Sequence, residues 1–210
     1  MERADVLRML DAAANRAREG LRVIEDFVRF TLNDAHLTAE LKALRHELTD
    51  ALQVIPANEL LAARDTEADV GTTVTTPSES ERASVADIVR SNFKRLQEGL
   101  RTLEECSKRA RDLSAAAENV SPAAILKLPE RLEQIRYRVY TLEKAVLGTQ
   151  QSRETLAECP ICLLATSSLC RLGLERVVRE ALDAGVSMIQ LREKELQDRE
   201  VLQLARQVRQ

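Results

Sequence analysis

Carboxylates and guanidinium groups recur on one stripe of this chain, and the stripe occurs twice. Residues 15–29 read N-R-A-R-E-G-L-R-V-I-E-D-F-V-R, and residues 94–108 read K-R-L-Q-E-G-L-R-T-L-E-E-C-S-K, at an offset of 79. Arg16, Glu19, Gly20, Leu21, Arg22 and Glu25 match Arg95, Glu98, Gly99, Leu100, Arg101 and Glu104. Asp26 and Arg29 become Glu105 and Lys108, so each sign of charge is kept. Steps of three and four residues put Asn15, Glu19, Arg22, Asp26 and Arg29 on one helical face, with Lys94, Glu98, Arg101, Glu105 and Lys108 as its counterpart. Two chemistries fit such stripes. One is a solvated face laced with ion pairs. The other is convergence of Arg22 and Arg101 on an anionic ligand. In that second case Asn15, Arg22, Asn92, Lys94 and Arg101 are binding candidates, and Glu19 and Glu98 are catalytic candidates.

A second group lies between the two copies. Residues 64–82 hold Gly71, Pro77 and many hydroxyls, the texture of a long loop. Asp65 and Asp69 can hold Mg²⁺ and serve as catalytic carboxylates, while Gly71 lets the backbone approach a phosphate. Arg64 and Thr72 complete the group. The plain alternative is a linker between hairpins.

A third group ends an apolar run. Gln190, Arg192 and Lys194 alternate, so a strand continuing through them turns all three to one side. One amide and two cations at the C-terminal end of a parallel strand suit a diphosphate or a phosphorylated substrate. A charged loop after a strand is the alternative.

Cys159, Cys162 and Cys170 cluster, beginning C-P-I-C, which can bind metal or cycle as a disulfide. There is no second C-x-x-C and neither of the two histidines is near, so buried or incidental thiols are expected.

Helices must position the first two groups. Apolar residues recur with helical spacing over residues 4–31, 35–54, 84–111 and 129–147, with a helical turn at 58–63. Ser84 and Asp87 form a capping box. Gly148 suits a C-terminal cap, followed by a polar linker over 149–158. The repeat extends into the second helix of each half. L-K-A-L-R-H-E-L (41–48) parallels L-E-Q-I-R-Y-R-V (132–139) at an offset of 91, matching Arg45 to Arg136. His46 reads as an ordinary helix residue. Residues 1–148 therefore read as duplicated helical hairpins in one bundle. Gly20 and Gly99 sit mid-helix at a cost of about 1 kcal/mol each. Their use is expected to be close approach of two helix backbones across a pseudo-twofold axis. Residues 159–210 read β-α-β-α, the pattern of a parallel sheet. The fold class expected is mainly α, with a β/α fragment behind the bundle.

Composition narrows the function classes. The net charge is −3 and aromatic content is 2%, which argues against polyanion binding and base stacking. The first twenty residues are heavily charged, unlike a signal peptide, and no apolar run is long enough for a membrane span, so a cytoplasmic protein is expected.

A-L-D-A-G-V-S-M-I-Q-L-R-E-K, followed by D-R-E, resembles the opening of thiamine phosphate synthase. That family is a (β/α)8 barrel. It joins hydroxymethylpyrimidine diphosphate to thiazole phosphate with Mg²⁺-assisted loss of pyrophosphate. The resemblance makes Gln190, Arg192 and Lys194 contacts to the pyrimidine diphosphate. It also departs from the family in two ways. The first strand ends in Ala165-Thr166-Ser167, where the family places an acidic residue. Residues 159–210 supply only two of eight β/α units, so a longer parent protein is expected, and this stretch alone is expected to lack synthase activity.

D-A-A-A-N-R-A-R-E-G-L-R-V-I-E-D, A-R-D-T-x-x-D-V-G-T and S-N-F-K-R-L-Q-E-G-L-R resemble a helical domain fused in front of some bacterial thiamine phosphate synthases. That domain is associated with phosphorylation of hydroxymethylpyrimidine phosphate, which implies ATP as co-substrate. No P-loop is present, so Arg, Lys and helix N-termini must hold phosphates. A non-catalytic dimerisation or regulatory module serving the barrel is the competing reading. The partners expected are a small phosphorylated pyrimidine and, for the dimerisation reading, a second copy of the chain, with neither nucleic acid nor membrane.

Overall fold

A computed structural model describes residues 3–67, 69–70, 82–109 and 122–209. The chain divides into two compact units, residues 1–149 and 150–210.

The first unit is helical. It contains α1 (Arg3–Phe27), α2 (Ala35–Leu52), α3 (Ala57–Ala63), α4 (Val85–Ser107), α5 (Pro122–Leu126) and most of α6 (Leu128–Ala157). α1 widens into a π turn over Val28–Leu32, and Asn33 then takes a left-handed conformation (φ 50°) that ends it. Asparagine tolerates that region better than most residues. Asp34 caps α2 by accepting from the Leu37 N–H at 2.9 Å. Ser84 accepts from the Asp87 N–H at 3.1 Å, the capping interaction expected at the start of α4. α1, α2, α4 and α6 share one aliphatic core, with Leu10, Leu21, Ile24, Leu41, Leu44, Leu48, Phe93, Leu96, Leu100, Leu103, Leu132 and Ile135 fully buried. Burying each such side chain contributes about 1.5–3 kcal/mol.

The two glycines mark where α1 and α4 cross. A Cβ on Gly20 would lie 2.9 Å from the Asn92 carbonyl oxygen and 3.4 Å from the Leu96 nitrogen. A Cβ on Gly99 would lie 3.1 Å from the Ala13 oxygen and 3.2 Å from the Ala17 nitrogen. Asn92 and Leu96 are the repeat mates of Ala13 and Ala17 at the offset of 79, so the two contacts are images of one another. The pseudo-twofold axis passes between them. On the outer helices Glu47 of α2 pairs with Arg138 of α6. These two positions are themselves equivalent at the offset of 91, so they too stand at the axis.

α6 differs from expectation. Gly148 does not end it: the helix continues to Ala157, and residues 150–157 are helical rather than an irregular linker. Gln150, Gln151, Arg153, Glu154, Leu156 and Ala157 all tolerate helix, and no proline intervenes before Pro160. Gln150 Nε2 donates to Glu154 at 3.0 Å, one turn on.

The second unit contains β1 (Cys162–Ala165), α7 (Leu174–Asp183), β2 (Met188–Leu191) and α8 (Asp198–Arg209). The two strands pair in parallel, with Cys162 opposite Met188 and Ala165 opposite Leu191. Gly185 (φ 91°) turns the chain after α7. A small core of Ala165, Leu174 and Val178 is joined by Leu163, Ile189, Leu191, Leu204 and Val208. Cys162 opens β1 exposed to solvent rather than buried, because the edge of a two-stranded sheet has no further layer over it; Cys159 and Cys170 are half-buried and all are free thiols. Among the described residues no helix is long and apolar enough to cross a membrane.

Candidate functional site

The charged stripes resolve into two related ion-pair clusters. Glu25 is buried on α1; it accepts from Arg45 Nε of α2 at 2.8 Å and from Arg22 at 3.3 Å. Its repeat mate Glu104, 4% exposed, accepts from Arg136 Nε of α6 at 2.9 Å and from Arg101 at 2.5 Å. Every member of one triad matches a member of the other. Arg136 is also held over the rings of Tyr137 and Tyr140, at 4.9 and 5.8 Å from their centroids. The Tyr140 hydroxyl and the Glu104 carboxylate both raise the Arg136 pKa, against desolvation. Arg101 pairs in addition with Glu105 at 2.6 Å, and Lys108 holds Glu105 at 2.7 Å. Arg22 and Arg101 thus each turn to the buried carboxylate of their own repeat. Buried charges must be paired in this way to offset their desolvation.

Other candidates on these helices are similarly engaged. Lys94 lies 3.2 Å from Glu143 of α6, and Gln97 bridges the two. Asn92 donates to the Ile88 carbonyl at 2.8 Å within α4. Glu19 and Glu98 are exposed.

The segment after α3 is clamped onto α1. Arg64 donates twice to Asp11, both at 2.8 Å, and Asn15 reaches the same carboxylate at 3.4 Å. The Asp11 carboxylate raises the Arg64 pKa through this fork. Arg8 donates to the Asp65 carbonyl at 2.8 Å, with the Asp65 carboxylate 3.8 Å away. Arg3 pairs with Glu59 of α3. Two hollows adjoin these clamps. One, of about 660 Å³, is lined by Asp5, Arg8, Met9, Ala12 and Arg16 of α1, by Asp69 and Val70, and by Thr102 of α4. The other, of about 330 Å³, lies on the Asp11, Asn15 and Arg64 side. Asp69 therefore shares a cleft with two arginines, and Asn15 shares one with Arg64. Gly71 and Thr72 lie outside the described residues. Among the described residues no group of three or more His, Cys, Asp or Glu side chains is arranged to hold a metal ion.

Arg8, Arg16 and Thr102 are cleft residues that sequence reading missed. For the two arginines the signal was the spacing of positions 5, 8, 9, 12 and 16, which share one face of α1, opposite the core; Thr102, on α4, had none.

In the second unit β2 ends at Leu191, yet the Arg192 N–H continues the ladder to the Ala165 carbonyl at 2.8 Å. The Thr166 hydroxyl donates to the Arg192 carbonyl at 2.8 Å. Glu193 accepts from the Ser167 N–H at 2.6 Å. These bonds stitch together the loops at the C-terminal ends of both strands. Between them lies a hollow of about 320 Å³, lined by Thr166–Leu169 and residues 192–196. Arg192 and Lys194 come together in it; Gln190, an exposed strand residue, is not among its lining. Two cations, hydroxyls and backbone N–H groups around one hollow suit an anionic group.

Comparison with known proteins agrees with this division. The ThiD2 family model matches residues 8–145, and the thiamine monophosphate synthase model matches residues 161–210. A thiamine-phosphate synthase of Nostoc punctiforme is 42% identical over 205 residues, covering 98% of this chain and 52% of the relative. One of Gloeobacter violaceus is 40% identical over 210 residues, covering 100% and 55%, and one of Rhodopirellula baltica is 37% identical over 209 residues, covering 98% and 52%. The chain spans about half the length of the curated relatives it matches. No solved structure gives a significant match. With the model covering most of the chain and nearly the whole of the helical unit, the chain belongs to the ThiD2 family.

Proposed function

We propose that this chain is a transferase component of thiamine biosynthesis. Its helical unit binds hydroxymethylpyrimidine phosphate and phosphorylates it with ATP. Its β-α-β-α unit is the opening of a (β/α)8 synthase barrel that joins the resulting diphosphate to thiazole phosphate. The observation that carries the reading is alignment along both units with proteins named thiamine-phosphate synthase, in the same order. The geometry supports it. Arg192 and Lys194 converge at the C-terminal end of two parallel strands, where such sheets place their ligands, and Gln190 is the third contact proposed there. In the helical unit the cleft between α1 and α4 offers two guanidinium groups and two carboxylates.

Mg²⁺ is held in phosphoryl-transfer sites by one or two carboxylates together with substrate phosphates. Asp5 and Asp69 supply that number on the cleft wall, so the residues present fit the ion. When bound it neutralises charge on the transferring phosphates. Asp65, also a candidate ligand, is close to Arg8 and serves better to position that guanidinium.

The test is incubation of the intact chain with hydroxymethylpyrimidine phosphate and Mg·ATP, followed by ³¹P NMR. A diphosphate ester is expected to appear, and Asp69→Ala should abolish it. Well-folded protein that neither binds nor turns over the pyrimidine phosphate overturns the kinase reading. A second reading, a scaffold or dimerisation module, is favoured by one observation: Arg22 and Arg101 are neutralised by Glu25 and Glu104. It expects a concentration-dependent dimer in ultracentrifugation without ligand binding.

A further inference from the structure

Arg16 and Arg95 occupy equivalent places in the two repeats, and both are exposed. Neither has a hydrogen-bond or ion-pair partner among the described residues. Arg22, Lys94, Arg101 and Lys108 of the same two stretches each pair with a carboxylate, so two unpaired guanidiniums at matched positions call for an explanation. Their surroundings differ. Arg16 lines the 660 Å³ cleft with Arg8, Met9, Ala12, Asp69 and Thr102, whereas Arg95 is not among the lining of that cleft. The repeat thus supplies the same residue twice, and of the two only Arg16 lines this cleft.

We infer that Arg16 is the anchor for the phosphate of a phosphomonoester, seated in the cleft with its uncharged ring against Met9 and Ala12. This deepens, and rests on, the reading of the helical unit as a pyrimidine-phosphate enzyme. Arg16 and Arg8 are eight residues apart on one face, a rise of about 12 Å along the helix. Arg8 is committed to Asp65 and holds the wall that carries Asp69. Arg16 alone keeps its full fork of donors, and a planar guanidinium matches two phosphate oxygens at once. The Thr102 hydroxyl donates to the Glu98 carbonyl at 3.0 Å, so its lone pairs remain as acceptors for a ring amine. Met9 and Ala12 provide the apolar floor that a heteroaromatic ring needs. Arg8 is a positioning residue in this scheme and Arg16 a binding residue.

The experiment is calorimetric titration of the intact chain with hydroxymethylpyrimidine phosphate, its unphosphorylated alcohol, inorganic phosphate and p-nitrophenyl phosphate. The variants are Arg16→Ala, Arg16→Lys and Arg95→Ala. Arg16→Ala should weaken the pyrimidine phosphate at least tenfold and leave the alcohol within twofold. Arg16→Lys should recover part of that loss. Arg95→Ala removes the same charge from the equivalent place and should change affinity less than twofold. Equal losses from Arg16→Ala and Arg95→Ala would mean general electrostatics and overturn the site. Tight binding unaffected by Arg16→Ala would overturn the site while the pathway reading stands. Arg16-dependent binding of p-nitrophenyl phosphate, with none of the pyrimidine phosphate, would keep the site and sink the pathway reading. No binding of any phosphate ester overturns both.

Discussion

Gly20 tests the packing logic with a single methyl group. Replacing it by alanine gains about 1 kcal/mol of helix propensity. The new Cβ would sit 2.9 Å from the Asn92 carbonyl oxygen. Carbon–oxygen contacts normally settle near 3.3–3.6 Å, so the overlap is about half an ångström. The obstacle is helix backbone, which cannot rotate aside as a side chain can, so α1 and α4 must part. Overpacking of this kind costs about 1–3 kcal/mol, and more where nothing yields. At the upper end of that range the net effect of Gly20→Ala is a loss of about 1–2 kcal/mol. Gly99→Ala meets its nearest backbone atoms at 3.1 and 3.2 Å and should lose less, about 0.5–1 kcal/mol. Gly148 is the control. It lies inside α6 with nothing within 4 Å of an added Cβ. Gly148→Ala should therefore stabilise by about 0.5–1 kcal/mol. Urea denaturation followed by far-UV circular dichroism measures all three. The double variant at positions 20 and 99 should cost less than the sum, because parting the helices once relieves both contacts. A Gly20→Ala variant that gains stability as Gly148→Ala does would refute the close approach of α1 and α4.

Three further outcomes are expected. Arg136→Ala takes from buried Glu104 its partner on α6, leaving it only Arg101 and Lys108 of its own helix, and should cost about 2–3 kcal/mol, whereas Arg45→Ala, whose side chain is 25% rather than 10% exposed, should cost less; thermal and urea melts of both variants rank them. The Lys108 hydrogen bond, helped by Arg101, holds the Glu105 carboxyl below its ordinary pKa. A folded-state pKa that is depressed contributes stability above the unfolded value of about 4.3 and loses it as pH falls through the folded value. A carboxyl NMR titration should thus show Glu105 titrating low, and Lys108→Ala should move it upward. Glu193→Ala removes the acceptor of the Ser167 N–H and should raise the hydrogen-exchange rate of that amide while leaving α7 amides protected.

The bundle was legible because two signals reinforced each other. Helical periodicity placed α1, α2, α4 and α6, and the repeat assigned them to matching hairpins. Ser84 with Asp87 announced the start of α4, and the paired glycines announced a crossing. Gly148 misled because one glycine costs only about 1 kcal/mol, less than the surrounding helix formers and their side-chain bonds recover. The stripes were legible only in part: ion pairs were one of the two readings their spacing allowed, but not their partners. The match of Arg45 to Arg136 was visible, but nothing one-dimensional says that these residues reach across to Glu25 and Glu104. The cleft was the least legible feature. It draws on α1, α4 and the segment after α3, and its residues converge only in three dimensions. At the strand ends alternation put Gln190, Arg192 and Lys194 together, whereas only Arg192 and Lys194 line the hollow, and it could not show that Glu193 folds back to bind the preceding loop.

The pair at Glu47 and Arg138 carries a consequence for ancestry. A residue that meets its own repeat mate lies on the symmetry axis, and in a dimer of identical hairpins it would meet an identical residue. Such a dimer would set glutamate against glutamate or arginine against arginine, and like charges in contact repel. Opposite charges there are open only to a chain in which both hairpins are encoded separately. Fusion thus did more than tether two partners. It released axial positions to diverge, so that the two hairpins no longer have to carry the same residue where they meet.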